Sequence, residues 1–386
     1  MIKNVNLKRF ITNTVFVVIS QINKIVPKND KQILLYANCS FRDNLSYLYD
    51  YLIDKGYNKK YKIVRSYKGP KEEKIPENVI DVNNLMAIWK FLRSGHVYYA
   101  FGKLPIFPAK KQTVIQMWHG SPFKGMDMGV KTSRKKKPYY TYYLAASDFF
   151  RDAVREAYSC DDKHIAICGN PRNDVMYEDF KSYDLGVSGK RKIIWMPTFR
   201  KSEYTGYSDI PDQRSLIPFF SNKELEGLNT ELAKLDVGLI VKIHPAQDLD
   251  LYENINYSNI CVLSHKEFVE KGYDLYRLLA QTDALITDYS SVFYDYMLLD
   301  KPIAFTMEDF EEYKNNRGFI FDNPESLMAG HKITESKDLI NFAKDVSEES
   351  DPWKDKRREV SLKTNKYQDG QNRRRALEIS KIFLDK

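Results

Sequence analysis

Cysteine is scarce in this chain: four residues in 386, Cys39, Cys160, Cys168 and Cys261, lie far apart and form no CxxC pair. That spacing excludes a zinc knuckle and a disulfide scaffold, so the thiols read as small hydrophobes in a reducing compartment. No apolar run is long enough to cross a bilayer. Neither a GxGxxG fingerprint nor a GxxxxGK[ST] loop occurs, which argues against a dinucleotide oxidoreductase and a Walker-type ATPase. No motif calls for a divalent metal, and the expectation is an activity that requires neither metal nor cofactor. Extensive disorder is excluded by 27 Tyr and 21 Phe.

What is present is an excess of positive charge. Lys and Arg number 60 against 52 Asp and Glu, a formal charge of +8, which favours anionic partners: nucleic acid, phosphorylated metabolites or acidic headgroups. The N-terminal segment, residues 1–30, carries Phe10, Val15 to Ile19, Ile22, Ile25 and Val26 between Lys3, Lys8, Arg9 and Lys24, Lys28, Lys31. It lacks a small-residue cleavage site and reads as an uncleaved helix. Two placements stay open for it, packing on the protein body or lying at a membrane interface.

The length suits two domains. From residue 31 the pattern is α/β: KQILLYA is strand-like, and Leu45, Leu48, Tyr49, Leu52 and Ile53 then fall at helical spacing. KYKIVRS, HVYYAFG, TVIQMWHG, YTYYLAAS and HIAIC continue the first half, residues 31–182, with Ser147 as a helix N-cap. After the polar linker 182–192, the second half, residues 190–386, alternates KIIWMP, VGLIVKIHP, NICVL, DALIT and KPIAFT with helical stretches at 221–235, 273–281 and 290–299. TFRKSEYTGYSDIPDQRS, from Thr198, is expected to be a long surface loop. Repeated β–helix–β units predict parallel sheets covered on both faces.

Ligands of such sheets bind beyond the carboxyl ends of strands, and that rule selects the candidate site. His119 follows TVIQMW, Thr198 to Arg200 follow KIIWMP, His244 follows VGLIVKI, Asp288 to Ser291 follow DALIT, and GNPRND follows HIAIC. These loops are expected to face one cleft between the halves. His119 and His244 are suited to proton exchange near neutral pH, while Gly120 lets a substrate approach the backbone. His96, His164, His265 and His331 lack comparable surroundings and read as structural or surface residues. TDYSS opens a helix, and free N–H groups with the Ser290 and Ser291 hydroxyls suit an anion. A plain cap is compatible with that role; Asp288 is expected to orient the turn.

Taken in order, HGSPFKGMD, GNPRND, MPTFR, KIHP, TDYSSVFYDYMLLDKPIAF, EDFEEYKNNRGFIFD and YQDG resemble the CDP-glycerol glycerophosphotransferase family, the teichoic-acid primases and polymerases and related capsule enzymes. The resemblance runs over residues 31–375. It implies a glycosyltransferase-B-like fold of two Rossmann-like domains with a cleft between them. The first would be on the acceptor side and the second would bind the CDP-alditol. It also implies a monotopic protein on the cytoplasmic face of the cell membrane. His119 matches a general base that deprotonates the acceptor hydroxyl, and His244 a residue contacting the diphosphate. Ser290 and Ser291 match diphosphate ligands, and Thr198, Arg200, Glu308 and Arg317 lie with the CDP-glycerol donor. Gly120, Lys124, Asp127, Asn170, Arg172 and Asp174 would line the acceptor side or the cleft. KGMDMG departs from the Lys-rich turn common at that point in the family.

The implied reaction moves glycerol phosphate from CDP-glycerol to a hydroxyl of an undecaprenyl-diphosphate-linked saccharide in wall teichoic acid synthesis, releasing CMP. The chain is close to a catalytic core plus a short N-terminal segment, which favours a primase. A glycerol- or ribitol-phosphate polymerase and a capsule transferase share the same motifs. A nucleotide-sugar glycosyltransferase is a further alternative. The basic run KTSRKKKP (131–138) raises a nucleic-acid-binding protein, but no recognition signature accompanies it, so no nucleic acid is expected. The expected partners are thus CDP-glycerol, the lipid-linked acceptor and an anionic membrane surface, with self-association left open.

Overall fold

The structure is a computed structural model that describes residues 12–71, 74–125, 138–158, 160–197, 224–243 and 257–384. The chain divides into two compact units, 1–121 with 130–174 and 366–386, and 122–129 with 175–365. The boundary falls between Asp174 and Val175 rather than near residues 182–190, and the division differs in two further ways. The segment after Ser121 belongs to the second unit, and the last 21 residues return to the first.

The first unit is built on seven parallel strands: β1 (Asn29–Tyr36), β2 (Lys62–Ser66), β3 (Val79–Asp81), β4 (Ser94–Tyr99), β5 (Thr113–Gln116), β6 (Tyr142–Ala145) and β7 (Ile165–Ile167). Their order is β3-β2-β1-β4-β5-β6-β7, that of a doubly wound sheet, which reverses direction between β1 and β4. Continuous apolar runs explain the central strands: Ile33, Leu34, Leu35, Val97 and Tyr98 are fully buried, as expected for a sheet covered on both faces. The helix Asn44–Asp54 sends Leu45, Leu48 and Leu52 into one core with Ile33, Leu35 and Ile63. Ala376 and Leu377 of the helix Asn372–Ile379 join that core, and the Tyr98 hydroxyl donates to the Ala376 carbonyl at 3.2 Å.

The N-terminal segment contains the helix Val15–Ile25, which packs with its polar side inward. The Ser20 hydroxyl accepts the Phe107 N–H, and Asn23 Nδ2 donates to the Phe107 carbonyl and to Gln112. Val15, Val18, Ile22 and Ile25 are left exposed. β1 begins at Asn29, just before the predicted boundary at 30.

The second unit has six parallel strands: β8 (Arg191–Met196), β9 (Val237–Lys242), β10 (Ile260–Leu263), β11 (Ala284–Thr287), β12 (Ile303–Thr306) and β13 (His331–Ile333). The order β10-β9-β8-β11-β12-β13 repeats the doubly wound pattern, with its reversal between β8 and β11. Local chemistry starts its helices. Ser264 and Glu267 form a capping box for His265–Glu270, and Asp274 Oδ1 accepts the Arg277 N–H at the start of Leu275–Gln281. The predicted helix 290–299 is Val292–Tyr296 followed by a 3-10 turn, Met297–Leu299.

Candidate functional site

In the first unit the polar loops at the carboxyl ends of β1, β4, β5 and β7 meet. After β5 the chain turns sharply: Trp118 has φ 55° and Gly120 φ 123°, values that suit glycine and strain tryptophan. His119 lies between them, its ring stacked on Phe101 (centroids 5.4 Å, planes 10° apart) and on Trp118 (4.4 Å, 30°). The Arg42 guanidinium lies 5.0 Å from the centroid of Phe101, on its face. The residue is exposed, yet the protein packed against both ring faces partly desolvates the imidazole. This desolvation lowers the imidazole pKa below its ordinary value; the Asp43 carboxylate opposes the shift, and the Arg172 and Arg42 guanidiniums add to it. Near neutral pH His119 is therefore a neutral imidazole with a nitrogen able to accept a proton.

Arg172 holds this turn. Its Nη1 donates to both carboxylate oxygens of Asp43 at 2.8 and 2.9 Å and to the His119 carbonyl at 2.8 Å. Asn44 Nδ2 donates to the Trp118 carbonyl at 3.1 Å, and Asn44 Oδ1 accepts the Arg172 N–H at 3.1 Å. Two predicted site residues, His119 and Arg172, are thus in direct contact. Arg42, Asp43 and Asn44, which the sequence reading did not single out, complete the arrangement. Their signal was the polar NCSFRDN at the end of the first strand, the same strand-end rule that selected His119.

GNPRND forms the 3-10 turn Pro171–Tyr177, and Asp174 does not line an open edge. Its buried carboxylate accepts the N–H groups of Asn372 (2.9 Å) and Arg373 (2.7 Å), with Arg373 Nε at 3.3 Å. It therefore binds the start of the C-terminal helix, a fold-holding task. Asn170 is buried beside it, its carbonyl accepting from Asn372 Nδ2. Gly169, at φ 90°, has no room for a side chain, since a Cβ there would lie 2.4 Å from Asn372. The GNPRND and YQDGQN segments are pinned together.

The second unit gathers three other motifs. Pro122–Gly125 runs beside Arg317–Ile320: Gly125 N–H donates to the Gly318 carbonyl at 2.8 Å and Ile320 N–H to the Phe123 carbonyl at 3.0 Å, with a bridge between Lys124 and Phe319. Phe123 packs edge-on against Phe293 (5.0 Å) and beside Phe319 (5.1 Å), and Tyr289 lies on Tyr313 (4.3 Å). The Tyr289 hydroxyl donates to Asp309 Oδ1 at 2.7 Å. This aromatic cluster sets the turn at Ser290 and Ser291, beyond β11 at the reversal of the sheet, where Thr287 Oγ1 donates to the Met196 carbonyl of β8 at 2.9 Å. The Ser291 hydroxyl makes no cap bond, and Ser290 Oγ accepts only a long 3.5 Å bond from Val292 N–H. Both residues are partly exposed. Glu308 and Arg317 flank the helix Phe310–Asn316 and are exposed.

Thr198, Arg200, His244 and Asp127, the basic run 131–137, residues 1–11 and the loop after Thr198 lie outside the described residues. Among the described residues no group of three or more His, Cys, Asp or Glu is placed to hold a metal ion. No helix among them is long and apolar enough to cross a membrane. All four cysteines are free, with Cys160 and Cys168 buried.

Two doubly wound parallel sheets, each with polar residues gathered beyond its strand ends, define an α/β protein of the glycosyltransferase-B-like class. Within that class the chain belongs to the CDP-glycerol:poly(glycerophosphate) glycerophosphotransferase family, whose pattern matches residues 18–381. It is 27% identical over 352 residues to a teichoic acid poly(glycerol phosphate) polymerase of Staphylococcus epidermidis, covering 83% of this chain and 46% of that protein. It is 29% identical over 318 residues to the teichoic acid glycerol-phosphate primase of Bacillus subtilis, covering 78% of this chain and 75% of the relative. The solved structure of the wall teichoic acid polymerase TagF superposes with a TM-score of 0.70 at 22% identity, over 98% of this chain and 95% of that one.

Proposed function

We propose that this protein transfers glycerol phosphate from CDP-glycerol to a hydroxyl of a lipid-linked, undecaprenyl-diphosphate-bound saccharide, acting as a primase of wall teichoic acid synthesis. His119 takes the proton from the acceptor hydroxyl. The acceptor oxygen bonds to the β-phosphorus as the bond from that phosphorus to the bridging oxygen breaks, and CMP leaves with that oxygen. Ser290 and Ser291 receive the diphosphate, with His244, Thr198, Arg200, Glu308 and Arg317 around the donor, and negative charge developing in transfer is offset by positioned donors. The observation that carries this reading is His119 itself: an exposed imidazole at a strand end, its pKa held below the ordinary value, within the residues that the family pattern matches.

The outward apolar stripe of the helix Val15–Ile25 supports placement at a bilayer: Val18 is 59% and Ile25 81% exposed. In the same unit Leu85 (80%) and Trp89 (49%) are exposed beside Lys90 and Arg93. An apolar face with Trp and cations suits a membrane interface. The cytoplasmic face is where a nucleotide donor would be met.

The test is His119→Ala. Turnover measured by CMP release is expected to fall by about 10²-fold or more, while calorimetric CDP-glycerol affinity stays near wild type. In the wild type the acid limb of turnover is expected below about pH 6.5, since the shift is downward and the base must be unprotonated. Near-normal turnover in the variant removes His119 from the role. A ribitol-phosphate primase of Bacillus spizizenii is also 29% identical to this chain, so a CDP-glycerol against CDP-ribitol screen assigns the alditol. Counting units added per acceptor separates primase from polymerase.

A further inference from the structure

Asp43 occupies a backbone conformation, φ 61° and ψ −152°, that is essentially restricted to glycine. As N-cap of the helix Asn44–Asp54 its side chain has a local use, but capping does not account for the bonds it accepts from Arg172. The carboxylate accepts the Asn44 N–H at 2.7 Å and two bonds from Arg172 Nη1, and that same nitrogen donates to the His119 carbonyl. Asn44, the next residue, is fully buried and binds the preceding carbonyl, that of Trp118. Two consecutive peptide groups of the His119 turn are thus anchored from one strained corner. We infer that Asp43 is a positioning residue for proton transfer: acting through the nearly buried Arg172 guanidinium, it fixes the main chain of His119 and hence the direction of its imidazole. This rests on the general-base reading of His119 given above.

A second consequence is electrostatic. Among the described residues, the charged groups acting on the His119 ring are Asp43 and Arg42 from the loop after β1 and Arg172 from the turn after β7. Asp43 favours the imidazolium, and the two guanidiniums disfavour it. Removing the carboxylate leaves both cations uncompensated, so the His119 pKa falls and the acid limb of turnover moves to lower pH. Removing the Arg172 charge moves it to higher pH.

Asp43→Gly separates positioning from turn-making, because glycine relaxes the backbone while the carboxylate is lost. Turnover by CMP release is expected to fall at least about 10-fold, the scale of a misplaced catalytic group. The calorimetric Kd for CDP-glycerol is expected to stay within about 2-fold, since the proposed donor residues are on the other unit. The acid limb is expected to shift downward in Asp43→Gly and upward in Arg172→Gln. Wild-type turnover with an unmoved acid limb in Asp43→Gly makes Asp43 a turn residue and overturns the inference. Should that variant fail to fold, Asp43→Asn decides on the same two readouts. His119→Ala is assayed alongside. If it is inactive while the Asp43 variants behave as wild type, only the positioning role falls; if it is active, the base reading falls and this inference with it.

Discussion

Replacing Asp174 by alanine tests how the C-terminal segment is held. The carboxylate is 1% exposed and accepts two N–H groups at the start of Asn372–Ile379, where a helix has no internal acceptors for them. It also meets Arg373 Nε, on a side chain itself nearly buried. Alanine removes the acceptor for two buried donors, at about 1–3 kcal/mol each, and the carboxylate of a buried ion pair, at about 3–5 kcal/mol. These losses overlap, so the expected total at pH 7 is about 3–5 kcal/mol, a large part of the 5–15 kcal/mol of an ordinary domain. Burial raises the Asp174 pKa to about 6, against the pull of its hydrogen bonds. The folded value lies above the unfolded one of about 3.9, so the native state binds the proton more tightly. The proton-linked part of this group's stability is therefore full below about pH 4 and is lost as pH rises through about 6, a change of roughly 3 kcal/mol that leaves its hydrogen bonds at pH 7 in place. Urea unfolding from pH 4 to 7, compared with Asp174→Asn, isolates that dependence as a difference curve. Amide exchange at 372–379 reports the helix directly. An unchanged urea midpoint and unchanged exchange in Asp174→Ala would refute the assignment.

Gly125→Ala places a Cβ 2.4 Å from the Arg317 carbonyl oxygen, and backbone cannot yield there. The pairing of 122–125 with 317–320 is expected to open at a cost of about 1–3 kcal/mol, with weaker CDP-glycerol binding because the Arg317 turn shifts; calorimetry and thermal unfolding check both. Val18→Glu with Ile25→Glu changes exposed positions, so stability is expected to hold within about 0.5 kcal/mol per site while cosedimentation with anionic liposomes weakens. Reversing the charges of 134–137 is expected to weaken it further, and binding unaffected by either set rejects the membrane placement.

Much of the fold is legible locally. Each central strand is an apolar run bounded by polar loops, and buried parallel strands need nothing more than such a run. Val79–Asp81 and His331–Ile333 escape because each is three residues long and, unlike the equally short edge strand Ile165–Ile167, mixes polar residues into its span. His119, Ser290 and Ser291 are legible for a related reason. A polar residue directly after an apolar strand reaches the carboxyl end of the sheet whatever its neighbours are.

The sequence by itself determined the strands, their parallel α/β arrangement, the strand-end residues and the family. Only the tertiary structure decided what those residues touch. The Asp43 carboxylate acquires its role from Arg172, 129 positions later, and Asp174 changes from a loop carboxylate to a helix anchor through groups 198 and 199 positions away. The N-terminal helix turns its polar side inward because buried Gln112 and the Phe107 backbone present hydrogen-bonding partners there. Side-chain periodicity encodes which face is apolar, but pairing between distant polar groups depends on where the chain brings them together, and no local pattern carries that information.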